Sequence, residues 1–523
     1  MYLKKILTIL IISVMIAVIF AACKDDEDDD TQPTTTTATT TVSDGEITPV
    51  PVVQESDEMA RILPNLPDMN WGEYTFKVLT LEWEESSELA IWQSRDIAAE
   101  EETGDPINDA VYRRNRTLEE KYNFAVKQVF PANLTAPASI STSNPAGDGS
   151  SFLTFIRTAI AAGDNYFDAV SMPFAILPIA AQEGLFIDLF DLYYLDFEKP
   201  WWNQNAVKSF SILNKLFFTI GDFTLVNRDT VSVMLFNKQL IADLQLENPY
   251  ELVRNGEWTL RKLSEMARAA AADLNGNGTM DLDTDRFGFI SSTFSDWALR
   301  TGAGVRFADI DADGLPFLIF GREIDYSATY AVHDIMNADF TWNVWNDINY
   351  RNHRVSRPER VFTEDRGLFM GATVRTIENL RGAETDFGIL PMPWFDENQR
   401  EWYLDPMGGF GSAMAIPIFH DFDALDKIGF MLEAISAESM YTIIPAHHDV
   451  QLHGKFIRDE ESSEMLDIIF SSLVWDTGMF YGWGGFDITG AAASGRVASV
   501  WERNLGRTES AMQATVNAFE HLD

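Results

Sequence analysis

The stretch from Asn214 to Leu240, NKLFFTIGDFTLVNRDTVSVMLFNKQL, constrains the fold most. Two apolar runs, Leu216 to Ile220 and Val231 to Phe236, flank the polar, turn-forming residues Gly221-Asp222 and Asn227-Arg228-Asp229. That pattern predicts two strands around a connection. It fits a hairpin inside one core, and equally an extended crossing between two bodies. The chain has 523 residues, 46% of them apolar, which is enough to bury more than one core. The flanking segments therefore decide between the two.

Before the stretch, strands alternate with helices. Tyr74 to Leu81 and Phe124 to Phe130 have strand character, with Asp105 to Tyr122 between them as a helix that sets Ala110, Val111, Leu118 and Tyr122 on one side. Phe152 to Gly163 reads as a helix, Phe167 to Ser171 as a short buried strand and Ala175 to Glu183 as a helix. Alternation of this kind predicts an α/β fold with a mainly parallel sheet, whose ligands meet the carboxyl ends of the strands.

The N-terminus is a separate object. Lys4 and Lys5 precede an apolar run from Ile6 to Ala22 that ends in Ala21-Ala22-Cys23, the pattern of a secretory signal. At about 17 residues the run is at the lower limit for crossing a bilayer. Cys23 is the only cysteine, so it forms no internal disulfide. The segment resembles a bacterial lipoprotein signal, 1–23, whose cysteine is cleaved free and lipidated. The acidic and Thr-rich residues that follow, 24–70, carry too few apolar side chains to order, and are expected to form a flexible tether.

Three Lys against eleven Asp or Glu in the first 60 residues account for little of the net charge of −41, so the remainder is itself strongly acidic. This excludes nucleic acid as a partner and leaves membrane contact to the lipid anchor, because phosphate recognition needs clustered Lys and Arg.

Later segments make a resemblance specific. GLFIDLFDL, then FFTIGDFTL and VMLFNKQL, then Glu257-Trp258-Thr259-Leu260, RGLFMGATVRTIENL with FGILPMP, GGFGSAMAIP, and AAASGRVASVWERNLGRTESAMQATVNAF follow in order. Together they resemble the family 1 extracellular solute-binding proteins of ABC importers, the maltose-binding type, over about residues 72–520. The resemblance implies a periplasmic-binding-protein-like fold of two α/β lobes joined by crossing hinge strands, with a ligand in a cleft that closes on binding. Residues 71–222 and 392–440 would form the first lobe, and 223–391 and 441–523 the second. The implied protein is a monomeric substrate-binding subunit, lipid-anchored on the outer face of a bacterial cell membrane, that delivers a carbohydrate to ABC permease subunits. A secreted carbohydrate-active enzyme, or a glycan-binding or sensory lipoprotein outside any transporter, is the alternative.

Sugar recognition needs flat apolar faces for pyranose C–H groups and planar polar side chains for paired hydroxyls. With 14 Trp and 36 Phe the chain is well supplied. Aromatics in polar or Gly-rich loops are the best candidates: Trp483 in YGWGGFD, Trp83 with Glu84, Trp201 with Trp202, and Phe410 in GGFG. Asp222 in the crossing is the candidate carboxylate for hydroxyls, with a turn-capping role as the alternative. Arg375 is a candidate donor, with a surface ion pair as the alternative.

Asp273, Asn275, Asn277, Thr279 and Asp281 carry oxygens at alternate positions, with Gly278 sixth, as in an EF-hand-like calcium loop. Thr284 stands where the bidentate Glu belongs, flanked by Asp283 and Asp285; any calcium would be structural. Asp309 to Gly314, before LPFLIF, reads as a hairpin turn. No HExxH, GxxxxGK or GxSxG motif is present, the doublet His447-His448 reads as a loop, and no catalytic residue or required cofactor is expected.

Overall fold

A computed structural model describes residues 61–82, 94–131, 145–163, 165–174, 176–344, 356–404, 411–418, 422–452, 460–483 and 488–522. The strands among them are, in chain order, β1 Tyr74–Leu79, β2 Phe124–Val129, β3 Ala169–Pro173, β4 Ser232–Asn237, β5 Phe287–Ile290, β6 Ala308–Ile310, β7 Pro316–Leu318, β8 Thr341–Trp342, β9 Gly367–Thr373, β10 Phe387–Leu390 and β11 Ser412–Ala415. A first sheet has the order β11-β3-β1-β2 and a second the order β10-β4-β9-β5-β8, with β6 and β7 forming a separate hairpin. The parallel pairs are β1 with β2 and β3, and β5 with β8 and β9; β11 runs antiparallel to β3, and β4 antiparallel to β9 and β10. The architecture is mixed α/β, as the strand-helix alternation predicts.

Local chemistry explains the elements. All residues of β3, β4 and β9 are buried, so these strands lack polar alternation, as expected for strands covered on both faces. The helix Pro106–Tyr122 starts at Asp105, whose carboxylate accepts from Ile107 N and Asn108 N, and stops at Asn123 in the left-handed region at φ 54°. It buries Ala110, Val111, Leu118 and Tyr122 together with Ile107 and Arg114. Thr259 caps the helix Leu260–Ala270, as the Glu257-Trp258-Thr259-Leu260 motif suggests.

Each sheet has its own apolar core. Phe76, Val78, Phe124, Val170 and Met414 belong to the first; Leu235, Phe289, Phe369 and Ile389 belong to the second. The chain passes from one to the other between Phe223 and Val231, returns between Met392 and Ala413, and leaves again between Ala437 and Met465.

The crossing differs from its expected form. Val231 to Phe236 lies largely in β4, but Leu216 to Ile220 forms no ladder and meets β11 only through Thr219 and Met414, which exchange two backbone hydrogen bonds of 2.9 Å. Asn227-Arg228-Asp229 lies in a helical turn, Val226–Asp229, and not in a strand connection. Gly221 explains how the first run ends. A Cβ there would sit 2.8 Å from the Trp201 carbonyl oxygen and from the Trp202 ring, so only glycine lets the backbone pass under that indole.

The expected allocation of everything after Tyr441 to the second body does not hold. Trp475, Phe480, Tyr481, Trp483, Val516 and Phe519 pack in the first core, while Ile488, Val497 and Trp501 pack in the second. The helix Val497–Glu520 has 24 residues, about 36 Å at ~1.5 Å per residue, long enough to reach from Trp501 in one core to Phe519 in the other. Helix Ile443–Leu452 joins Ile107 and Val111 through Ile443 and Val450. Ala308 and Ile310 of β6 pack in the first core as well, and the β6-β7 hairpin forms at the Asp309–Gly314 turn as expected.

Candidate functional site

The passage between the cores gathers buried charge. It begins with Asp96, which is fully buried and accepts from Thr224 Oγ1 at 2.9 Å, from Leu225 N and from Ser94 Oγ. Arg114 steadies the same segment from behind, donating through Nη2 to Ile97 O at 2.7 Å and through Nη1 to Ser439 Oγ at 3.1 Å. Its complete burial lowers its pKa to about 10, against the opposing pull of Asp96 and Glu438. Residues 94–97 are thus tied to the crossing.

Arg95 is thereby aimed at two carboxylates. It makes a fork to Glu378, Nη1 to Oε1 at 3.1 Å and Nη2 to Oε2 at 3.0 Å, and its Nη2 lies 3.3 Å from Asp229 Oδ2. Glu378 and Arg375 are three residues apart on helix Val374–Asn379, which follows β9 directly. Arg375 Nη1 lies 3.0 Å from Glu378 Oε2 and 3.6 Å from Asp229 Oδ2. His447, on the helix Ile443–Leu452, is 1% exposed and lies 2.9 Å from Asp229 Oδ1 through Nε2.

Two guanidiniums thus face two carboxylates, with Asp229 at the centre. Burial alone would raise the Asp229 pKa, but the His447 hydrogen bond and Arg95 outweigh it and hold the carboxyl below its ordinary range. Burial lowers the His447 pKa against the pull of Asp229, so the ring is neutral and its Nε2–H donates to the carboxylate. The Nε donors of Arg95 and Arg375 are buried and have no partner among the described residues. The cluster couples four segments across the passage, with both guanidiniums engaged by carboxylates. Residues 94–97 come from the first sheet's side and helix Val374–Asn379 from the second's, so relative movement of the two bodies would remake these bonds.

The residues expected to bind ligand are distributed differently. Asp222 is paired with Arg228, Oδ1 to Nη2 at 3.2 Å, and Arg228 in turn lies over the Phe470 ring at 5.1 Å. Burial raises the Asp222 pKa and Arg228 partly opposes this. Asp222 is thus an ion-pair member at the passage. Arg375 is no surface ion pair but a largely buried member of the cluster.

Trp483 is 1% exposed, stacks on Tyr481 with ring centroids 5.1 Å apart, and donates to Thr515 Oγ1 at 3.1 Å. Trp201 and Trp202 are also buried, the Trp202 Nε1–H donating to Glu433 Oε2 at 2.9 Å. These three indoles are core residues whose faces pack on neighbouring side chains. Large rings are favoured for that role even when the local sequence is Gly-rich. Trp83, Glu84, Phe410 and Cys23 lie outside the described residues.

The Asp273 loop closes on itself. The Asp273 carboxylate accepts from Gly276 N and Gly278 N at 2.7 Å, and that of Asp285 from Leu274 N at 2.9 Å and Asp281 N at 2.7 Å. Asn275 Oδ1 and Asn277 Oδ1 accept from Asn277 N and Thr279 N. Among the described residues no three His, Cys, Asp or Glu side chains converge to hold a metal ion.

Arg95, Asp229, Glu378 and His447 were not singled out by sequence reasoning. The available signal was a charged pair, Arg228-Asp229, inside an apolar crossing, which reads locally as a turn. His447-His448, expected in a loop, lies on a helix, where the fold brings His447 to Asp229 from 218 residues away.

No protein-family model matches the chain, and no curated protein does. Solved structures similar to it include an ABC substrate-binding protein from Listeria monocytogenes in complex with cycloalternan, at 11% identity over 86% of this chain and 100% of that one, TM-score 0.46. Another is the maltose/maltodextrin-binding domain from Bdellovibrio bacteriovorus bound to maltotriose, at 14% over 85% and 99%, TM-score 0.45. A third is the cyclic alpha-maltosyl-1,6-maltose binding protein from Arthrobacter globiformis, at 13% over 86% and 98%, TM-score 0.48.

Proposed function

We propose that the chain is the substrate-binding subunit of an ABC importer. It captures a carbohydrate between its two α/β bodies and delivers it to the permease subunits. The observation that carries this reading is the junction at Phe223 to Val231, where the chain changes core and Asp229 binds Arg95, Arg375 and His447. A ligand that touches both bodies would favour one arrangement of this junction over another, which is all that closure requires. The ordered motifs that resemble the family 1 solute-binding proteins support the same reading. Lipidation at Cys23 would hold the protein on the outer face of the cell membrane.

A thermal-shift screen over mono- and oligosaccharides tests this. A ligand present at 100 times its Kd is expected to add about 2.7 kcal/mol of stability, and Arg375→Ala is expected to weaken that ligand by about tenfold, or ~1.4 kcal/mol. Stabilisation by no saccharide of the panel, or hydrolysis of one by the purified protein, contradicts the proposal.

A further inference from the structure

A cavity lies among residues that pack with the second core, and it is not lined by the Asp229 cluster. Its volume of about 650 Å³ lies within the ~300–1,000 Å³ of small-molecule sites, and Arg254, Asn255, Glu257, Trp394, Arg400 and Trp402, among others, line it. All its lining residues fall between Val253 and Ile468 on the second side of the chain, and none belongs to the Asp229 cluster.

Its aromatic lining is an indole pair. Trp394 and Trp402 have ring centroids 4.6 Å apart at 34°; Trp394 is 7% exposed, while Trp402 is partly buried, and both line the cavity. The pair is rigidly held. Trp394 N donates to Trp258 O at 3.0 Å and Leu260 N to Trp394 O at 2.8 Å. Gly256, at φ 69°, lets the ring approach its backbone: a Cβ would lie 2.8 Å from Trp394 Cζ3. The Trp394 Nε1–H is buried and has no partner in the protein.

The rim is planar and polar. Arg254 is fixed by Glu464 at 2.6 Å and Glu251 at 2.6 Å. Among the described residues Arg400 donates to the carbonyl oxygens of Glu397 and Gln399, at 2.7 and 3.3 Å, both through Nη1, and the side chain is exposed. Gln399, beside it, pins the loop by donating to Gly302 O at 2.8 Å and Glu401 O at 2.9 Å. Asn255 and Glu257 are exposed.

An indole beside guanidinium, amide and carboxylate groups matches a pyranose, whose C–H face stacks and whose adjacent hydroxyls take paired hydrogen bonds. The rim mixes both signs, and the chain carries −41 overall, which disfavours an anionic ligand. We infer that this cavity binds a neutral oligosaccharide, with Trp402 as the stacking platform and Arg400 as the principal hydroxyl partner.

The full chain is titrated calorimetrically with maltotetraose, cellotetraose, xylotetraose and mannotetraose, and each mixture is followed by saturation-transfer NMR. Trp402→Ala and Arg400→Gln are compared with wild type and with Arg375→Ala. At least one tetrasaccharide is expected to bind wild type in an event that both Trp402→Ala and Arg400→Gln weaken by about tenfold, with circular-dichroism melting unchanged in Arg400→Gln. Arg375→Ala is expected to leave that event intact, which separates it from capture between the bodies. Binding of none of the four sugars, or an affinity within threefold of wild type in either Trp402→Ala or Arg400→Gln, overturns the assignment.

Discussion

Asp229→Ala is expected to destabilise the protein by about 3–5 kcal/mol, the range for removing one partner from a buried ion cluster. Asp229 is 5% exposed at its side chain and Arg375 16%, so solvent does little to compensate the guanidiniums left behind. Arg95 and Arg375 would share Glu378 alone, and the His447 ring would lose its acceptor. The effect should depend on charge rather than on packing. Asp229→Ala combined with Arg375→Ala restores the balance of one cation to one anion and is expected to recover part of the loss, a coupling that a double-mutant cycle by urea melting reads directly. Because the folded-state pKa of Asp229 is lowered, its contribution is present above the ordinary carboxylate pKa and disappears as pH falls through the lowered value. Strictly additive losses in the double variant would contradict a charge-balanced cluster.

Glu433→Gln is expected to stabilise the protein at pH 8 and to change little at pH 4. Glu433 lies on helix Phe422–Tyr441 and is fully buried, with Oε2 accepting from Trp202 Nε1. Burial pushes its pKa from 4.5 to about 7, and the Trp202 hydrogen bond offsets this only partly. A raised folded-state pKa means that the folded chain binds the extra proton. Its stability contribution is full below about 4.5 and is lost as pH rises through about 7. At ~1.4 kcal/mol per unit the difference is on the order of 3 kcal/mol. Glutamine keeps an acceptor for the indole and never ionises, so melting curves at the two pH values should separate the variant from wild type only at the higher one. Equal differences at both would show that Glu433 does not titrate in this range. The residue matters to the passage because Trp202, which it holds, crowds Gly221 and packs on Phe223 at 6.1 Å.

Much of the architecture was legible because it rests on local signals. The cap at Asp105, the alternation of strands and helices, and the apolar run of β4 each follow from neighbours in sequence. What was not legible rests on contacts distant in sequence. Trp201, Trp202 and Trp483 sit in polar or Gly-rich surroundings that suggest exposure, yet the chain brings Glu433 to the Nε1 of Trp202 and Thr515 to that of Trp483 and buries all three rings. Leu216 to Ile220 has the composition of a strand, but its backbone hydrogen bonds go to Leu189, Asn203 and Met414 rather than along a ladder. Asp229 looks like a turn residue until Arg95, Arg375 and His447 arrive from three other segments. Helix Val497–Glu520 serves two cores because its length spans both, a fact about distance that periodicity does not carry.

Closure of two bodies about the Phe223 to Val231 passage is the central claim, and small-angle X-ray scattering of the full chain tests it most directly. With a saccharide identified by thermal shift and added to saturation, the radius of gyration is expected to fall, and Asp229→Ala is expected to alter that change. A tightly bound saccharide that leaves the radius of gyration unchanged would contradict capture by closure.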